Sequence, residues 1–396
     1  MRLRFTLFLL LMFSVLASAQ DPCVPYPAGL STYLICVPPG AASNIDLVVF
    51  AHGYVSPTEP VGTIPTDQLS LQGVSIPALV NSLGFAFAVS SYPKNGLAIK
   101  EGMVDLENLV AFYKQLGYSP GRVYLVGVSE GGLIATKLIE QGGPVFSGGL
   151  ALCGPIGDFD GQINHFGDFR VVFDYFFPGV LPPSPVSIPP SAIADWDSLV
   201  PVIAGAMAAN PSAAAQLYLV TQTPTDPTQP VESAVDNLWY NVFATDDAHT
   251  ELGGQPFDNR FRIYLGSTDN LRLNLDVERF SADPAALRQI AEFYQTSGSL
   301  PAPLVTMHTT GDPIVPYWHE TLYGLKVLLR GSLREYLHLP VVRYGHCNFE
   351  PAEVLLGFGL LVEKVSGQSL PNAELALPSE TMRQQFRSLA AQNAGR

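Results

Sequence analysis

The pentapeptide Gly127-Val128-Ser129-Glu130-Gly131 places a serine between two glycines. Where such a pattern joins a strand to a helix, the backbone turns sharply enough to lift the hydroxyl to the edge of a sheet. Glycines flank it because side chains there would strike neighbouring backbone. A serine so placed is a nucleophile once a histidine can take its proton and a carboxylate can orient that histidine. The chain order that accompanies this turn is Ser, then Asp or Glu, then His. Both partners are present. Asp312 stands in Thr309-Thr310-Gly311-Asp312-Pro313, directly after the apolar run 304–308, and His346 follows the run 339–344 and Gly345. Of the seven histidines only His319, His338 and His346 come after Asp312. His319 falls in a helical pattern beginning near Tyr317 and is expected to be a surface or interface group, while His338 lies in a strand or its approach. His346, in a loop beyond a strand end, is the histidine expected to reach both serine and carboxylate. Asp269 competes as the acid, but no clear strand precedes it.

These residue types together perform acyl transfer. His346 takes the Ser129 proton during attack and returns it to the leaving group, Asp312 fixes the imidazole's tautomer, and water resolves the acyl-enzyme. The oxyanion requires two backbone donors. One is the N–H of Glu130, at the start of a helix, and the other is expected in the loop after His52-Gly53, at Tyr54. Gly53, Gly127 and Gly131 are the glycines this geometry needs, and Glu130 receives no role beyond its backbone N–H.

Positioning such groups takes alternating strands and helices. Apolar runs at 47–50, 85–90, 123–126 and 150–153 read as strands. Residues 97–116 carry Met103, Leu106, Leu109, Val110, Tyr113 and Leu116 at helical spacing, and a second helix is expected from about 132 to 141. The alternation implies a parallel sheet. It breaks after Gly154, where 155–303 is rich in aromatics and proline, with helical patches near 195–207 and 285–294. This stretch reads as a cap inserted into an α/β core whose first part is 20–154. Strand 304–308, helix 317–329, strand 339–344 and helix 352–365 resume the core, whose second part is 304–396.

Arg2 and Arg4 precede the apolar run 5–15 and the small residues Ala17 and Ala19, which together read as a secretory signal peptide over 1–19 rather than a membrane anchor. Secretion, extracellular or periplasmic, suits the four cysteines, and of three possible pairings Cys23–Cys36 and Cys153–Cys347 are expected. The first two are near neighbours. The second pair flanks the sheet edge that carries the histidine. No cysteines lie at C-x-x-C spacing, so no metal is expected, and the chemistry calls for no cofactor. With Asp+Glu 35 against Lys+Arg 21 and no basic run, nucleic acid is excluded as a partner. A monomer acting on a small-molecule, lipid or polymer ester is the expected state.

Ser129, Asp312 and His346 with their flanks resemble the α/β-hydrolase superfamily from about residue 44 to 365. The segments Gly311-Asp312-Pro313-Ile314-Val315-Pro316 and Gly345-His346-Cys347-Asn348-Phe349 are similar to the acid and histidine loops of secreted esterases and lipases. The resemblance implies an α/β-hydrolase fold, with a mostly parallel sheet flanked by helices and a cap before the acid-bearing strand, and a carboxylesterase or lipase activity. Lipid esters, plant-wall aryl esters and polyesters all fit. Ser-Glu-Gly-Gly also occurs in peptidase and thioesterase branches, so a prolyl-peptidase-like serine peptidase is the alternative, and an inactive binding protein of the same fold the third reading. Propeller-bearing peptidases are disfavoured by the short segment before the first core strand. Aminopeptidases would need amine-binding carboxylates, for which Asp158, Asp160, Asp168, Asp174 and Glu232 are the candidates.

Overall fold

The computed structural model describes residues 23–393, and the expected leader, 1–19, lies outside the described residues. Eight strands build one sheet: β1 Cys23–Ala28, β2 Ser31–Cys36, β3 Leu47–Ala51, β4 Ala86–Ser90, β5 Val123–Val128, β6 Gly148–Leu152, β7 Leu304–Gly311 and β8 Tyr336–Tyr344. Across the sheet they lie in the order β1-β2-β4-β3-β5-β6-β7-β8. β1 and β2 pair antiparallel, as do β2 and β4, and all pairs from β4 to β8 are parallel. With helices on both faces, this is the α/β-hydrolase fold.

The strands are legible because a parallel sheet covered on both sides needs apolar residues on both sides. Every residue of β3 and of β4 is buried. Alternate residues feed two cores: Leu47, Val49, Ala88 and Leu125 enter one, and Val48, Phe50, Phe87 and Val126 the other. Helices α2 Ile99–Gln115, α3 Glu130–Gln141 and α11 Trp318–Arg330 close the first core, while α1 Ile76–Ser82 and α12 Pro351–Ser366 close the second. The chain enters α12 through a capping box between Glu350 and Glu353. A last helix, α13 Glu380–Asn393, packs on α12.

Between β6 and β7 the chain runs through α4 Phe159–Phe176, α5 Pro190–Ala194, α6 Trp196–Ala209, α7 Pro211–Thr221, α8 Pro230–Leu252, α9 Asn270–Asp276 and α10 Pro284–Gln289, which continues as a π turn over Ile290–Tyr294. Helices α4 to α9 share a core of their own, including Phe169, Phe173, Ile203, Leu217, Leu238 and Val242, while α10 and its π turn join the first core of the sheet through Ala286, Ile290 and Tyr294. Residues 155–303 are therefore more helical than their proline content suggests. Helices α4 and α8 are hard to read in sequence because their buried faces carry polar residues: Gln162, Asn164, His165, Asp168 and Arg170 on one, Ser233, Asn237 and Asn241 on the other. Arg170, 1 % exposed, links the two helices by donating to Asn241 and is itself satisfied by Asp174 and the Pro182 carbonyl.

Both expected disulfides are present. Cys23–Cys36 joins residues paired across β1 and β2, and Cys153–Cys347 ties the residue after β6 to the loop after β8.

Candidate active site

In parallel strands all C-terminal ends share one edge. Here that edge collects His52 after β3, Ser129 after β5, Cys153 after β6, Asp312 after β7 and His346 after β8. Ser129 turns the chain from β5 straight into α3 with φ 55°, in the left-handed region. The turn is close-packed. A Cβ on Gly127 would lie 1.9 Å from the Gly131 carbonyl oxygen, and one on Gly131 would lie 2.0 Å from that of Ala51. Neither contact is tolerable, so both glycines are required.

β8 reaches the site irregularly. Its register against β7 shifts between Val341 and Tyr344, and Gly345, at φ 98°, donates to the Gly311 carbonyl at 3.1 Å while its own carbonyl accepts from Thr309 Oγ1 at 2.7 Å. Bulges of this kind re-aim side chains beside active sites. His346 consequently swings over the edge, with Nε2 2.8 Å from Ser129 Oγ and Nδ1 2.7 Å from Asp312 Oδ2. Asp312 is wholly buried, and its other oxygen accepts from the amides of Ile314 and Val315 at 2.9 and 3.0 Å. Burial by itself would raise its carboxyl. The His346 ring and a hydrogen bond from His308 outweigh burial and hold it well below the usual carboxylate range.

The Glu130 amide opens α3, where first-turn amides have no intrahelical acceptor. Among the described residues the Tyr54 amide has no acceptor either, and its ring packs edge-on against Trp239 of α8. The loop bearing Tyr54 is pinned by a residue without a sequence signal: Gln68 accepts from Gly53 N at 2.7 Å and donates to the Tyr54 carbonyl at 3.3 Å. Gln68 is fifteen residues away in sequence and belongs to no periodic pattern. Glu130 also has a side-chain contact, accepting from Ala98 N at 2.7 Å. Burial pushes its carboxyl up to about 8.

Ser129 opens into a cavity of about 110 Å³ between the sheet edge and the inserted helices, lined by Tyr54, Leu97, Ile163, Phe166, Tyr240 and Phe257 among others. Glu130 is the one carboxylate on its wall. The cap carboxylates considered for amine binding are engaged or elsewhere. Asp168 pairs with Arg262 and Tyr264, Asp174 with Arg170, Asp158 with Gln295 and Asp160 with Asn164, while Glu232 is exposed at the start of α8. Asp269, the rival acid, caps α9 through Arg272 N. His338 lies in β8. Of the two expectations for His319, surface or interface, the interface holds: it is fully buried where α11 meets the inserted segment, its Nδ1 accepting from the amides of Gly157 and Asp158 and its Nε2 donating to Gln162. The donor atoms of Cys153, His346 and Cys347 lie within 4.8 Å of one another, but the two sulfurs are bonded to each other and offer no thiolate.

No protein-family model matches the chain, and no curated protein does. Solved structures are similar in arrangement at low identity. The acylaminoacyl peptidase of Pyrococcus horikoshii aligns over 90 % of this chain and 43 % of its own, at 11 % identity and TM-score 0.45. This chain therefore spans less than half the length of that peptidase. Lipase A of Candida antarctica in its closed state aligns over 91 % and 82 %, at 15 % identity and TM-score 0.47. Feruloyl esterase B of Aspergillus oryzae aligns over 87 % and 79 %, at 15 % identity and TM-score 0.44.

Proposed function

We propose that this chain is a secreted serine hydrolase of carboxylic esters with Ser129 as nucleophile, His346 as general base and acid, and Asp312 as the orienting carboxylate. The observation that carries the reading is the continuous hydrogen-bonded line from Ser129 Oγ through His346 to buried Asp312, opening on an apolar cavity. His346 takes the hydroxyl proton as Ser129 attacks the ester carbonyl. Asp312 stabilises the resulting imidazolium, and His346 then protonates the departing alcohol. The tetrahedral oxyanion is received by the amides of Tyr54 and Glu130, each donor contributing about 3 kcal/mol to the transition state. Water then attacks the acyl-enzyme by the same route in reverse.

Ester substrates are favoured over aminoacyl peptides by the cavity wall. A free α-amino group is held by ionised carboxylates. Glu130, the carboxylate present, has its carboxyl raised to about 8 and is spent on Ala98 N. The apolar lining suits an aliphatic or aryl acyl group instead. Two disulfides support passage through an oxidising compartment, in keeping with the leader expected over 1–19.

A hydrolysis panel tests the reading: p-nitrophenyl esters of rising acyl length, a feruloyl ester, a polyester film and aminoacyl naphthylamides. Turnover of one or more esters that is lost in Ser129→Ala is expected. Efficient naphthylamide release with weak ester hydrolysis would replace this reading with the peptidase alternative.

A further inference from the structure

Behind the acid lies a second buried line of ionisable groups that acyl transfer does not itself call for. His308, on β7 and wholly buried, directs Nε2 toward the Val315 carbonyl at 2.7 Å and Asp312 Oδ2 at 3.4 Å, and Nδ1 toward Glu320 Oε1 at 3.3 Å. Glu320, on α11 and 4 % exposed, receives Thr306 Oγ1 at 2.8 Å, His338 Nδ1 at 3.1 Å and Tyr336 OH at 3.2 Å on its other oxygen.

Hydrogen-bond bookkeeping decides the state of this ring. A neutral imidazole has one donor and one acceptor nitrogen, whereas an imidazolium has two donors. Both nitrogens of His308 meet only acceptors: a carbonyl and a carboxylate on one side, a carboxylate on the other. Three donors converge on Glu320 Oε2, and although burial alone would raise this carboxyl, hydrogen bonds with His308 and His338 hold it well below the usual carboxylate range, so Oε1 faces His308 as an acceptor. We propose that His308 is a positioning residue held as an imidazolium between Asp312 and Glu320, where it shares the charge of the triad acid and so extends the enzyme's working range toward lower pH.

The surroundings leave this charge without a competitor. The ring meets Glu320 of α11 and, just before that helix, Tyr317 in a T-shaped contact with 6.0 Å between centroids, and β8 contributes His338 and Tyr336 only through Glu320. The nearby histidines His319 on α11 and His165 on α4 are driven toward the neutral form by burial. Burial acts the same way on His308, but hydrogen bonds to Asp312 and Glu320 reverse it and raise the ring to about 10. Asp236 of α8, whose carboxyl burial raises, lies within electrostatic reach of His346.

The consequence for catalysis follows from the sharing, and it rests on the proposed role of His346. A carboxylate facing two cations pulls less strongly on each of them. With His308 charged, His346 releases its proton at lower pH and is free to act as base there. Without it, Asp312 and Glu320 both face inward uncompensated and His346 keeps its proton longer.

The test is the kcat/KM–pH profile of His308→Gln on a p-nitrophenyl ester, with Asp236→Asn as a control for the other nearby carboxylate. The acid limb is expected to move up by about one pH unit, a tenfold loss on that limb, whether or not Asp236 is present. A lower melting temperature and a uniformly lower kcat with an unmoved acid limb would mean a purely structural role and overturn the proposal. A second measurement needs no active variant: ¹⁵N-histidine NMR of the wild-type protein, with His308 assigned by its loss in His308→Gln or its displacement in Glu320→Gln. Both ring nitrogens protonated at pH 7 are expected, and a neutral ring would overturn the proposal. Failure of the triad reading is separate, since it would show as ester turnover surviving Ser129→Ala whatever the state of His308.

Discussion

Asp312 and Glu130 are both buried acids near Ser129, yet they are held in opposite states. Asp312 is surrounded by donors: His346, the amides of Ile314 and Val315, and His308. Glu130 has one, Ala98 N, and desolvation therefore dominates. This difference predicts a pH-dependent stability. In the unfolded chain Glu130 ionises near its ordinary 4.5, while in the fold it keeps its proton to about 8. Its contribution to folding is thus fully present below pH 4.5 and is lost as pH rises through 8. Glu130→Gln retains an acceptor for Ala98 N without that penalty. Its stability relative to wild type, measured by urea unfolding, is expected to grow between pH 4.5 and 8 by an amount on the order of a few kcal/mol, and a constant difference across that range would contradict this account. At this scale the sequence was informative where chemistry imposes local spacing or chain order, as with Ser129, Asp312 and His346. It was silent on Gln68 and Glu320, whose partners are distant in sequence and leave no periodic trace. His308 offered a usable sign, since a histidine inside an otherwise apolar, buried strand must find polar partners.

The elements most legible in sequence are those buried on apolar faces, and those least legible bury polar ones. Strands β3 to β6 and helices α2 and α3 follow apolar runs or helical apolar spacing, and their ends fall within a few residues of expectation. Strand β1 of the first hairpin is half exposed and carries two prolines, Pro25 and Pro27, so only its cysteine marks it. Helices α4 and α8 line the cavity largely with apolar side chains but bury amide and charged groups such as Asp168, Arg170 and Asn237 away from it, which blurs the apolar stripe that periodicity detects. The irregular end of β8 could not be read at all, since a register shift is a property of two strands together. That end is secured by Cys153–Cys347, and Cys347 Sγ lies 3.4 Å from His346 Nε2. The bridge closes a separation of 194 residues, so its removal relieves a large constraint on the unfolded chain. Cys153→Ala/Cys347→Ala is expected to lose about 2–5 kcal/mol of stability in denaturant titration and to lower kcat as the His346 loop loosens. Unchanged stability and kcat would show that β8 and its pairing with β7 hold the loop unaided.

At the scale of the whole molecule, three strand ends carry the proposed nucleophile, acid and base, a fourth carries the proposed oxyanion loop, and the helices between β6 and β7 enclose the apolar space above them. The sheet sets the distances and the inserted helices set what can approach. The net charge of −14 and the apolar cavity together suit an uncharged ester better than an anionic or nucleic-acid partner. All of this depends on Ser129 being activated in place by His346 and Asp312. Active-site labelling with a fluorophosphonate, mapped by peptide mass spectrometry in parallel with p-nitrophenyl ester turnover, tests that dependence most directly. A single adduct on Ser129 is expected, with labelling and turnover falling by roughly 10⁴-fold in His346→Ala and turnover falling no further in Ser129→Ala/His346→Ala, because a triad acts as a unit. An adduct on another serine, or ester turnover surviving Ser129→Ala, would contradict the account.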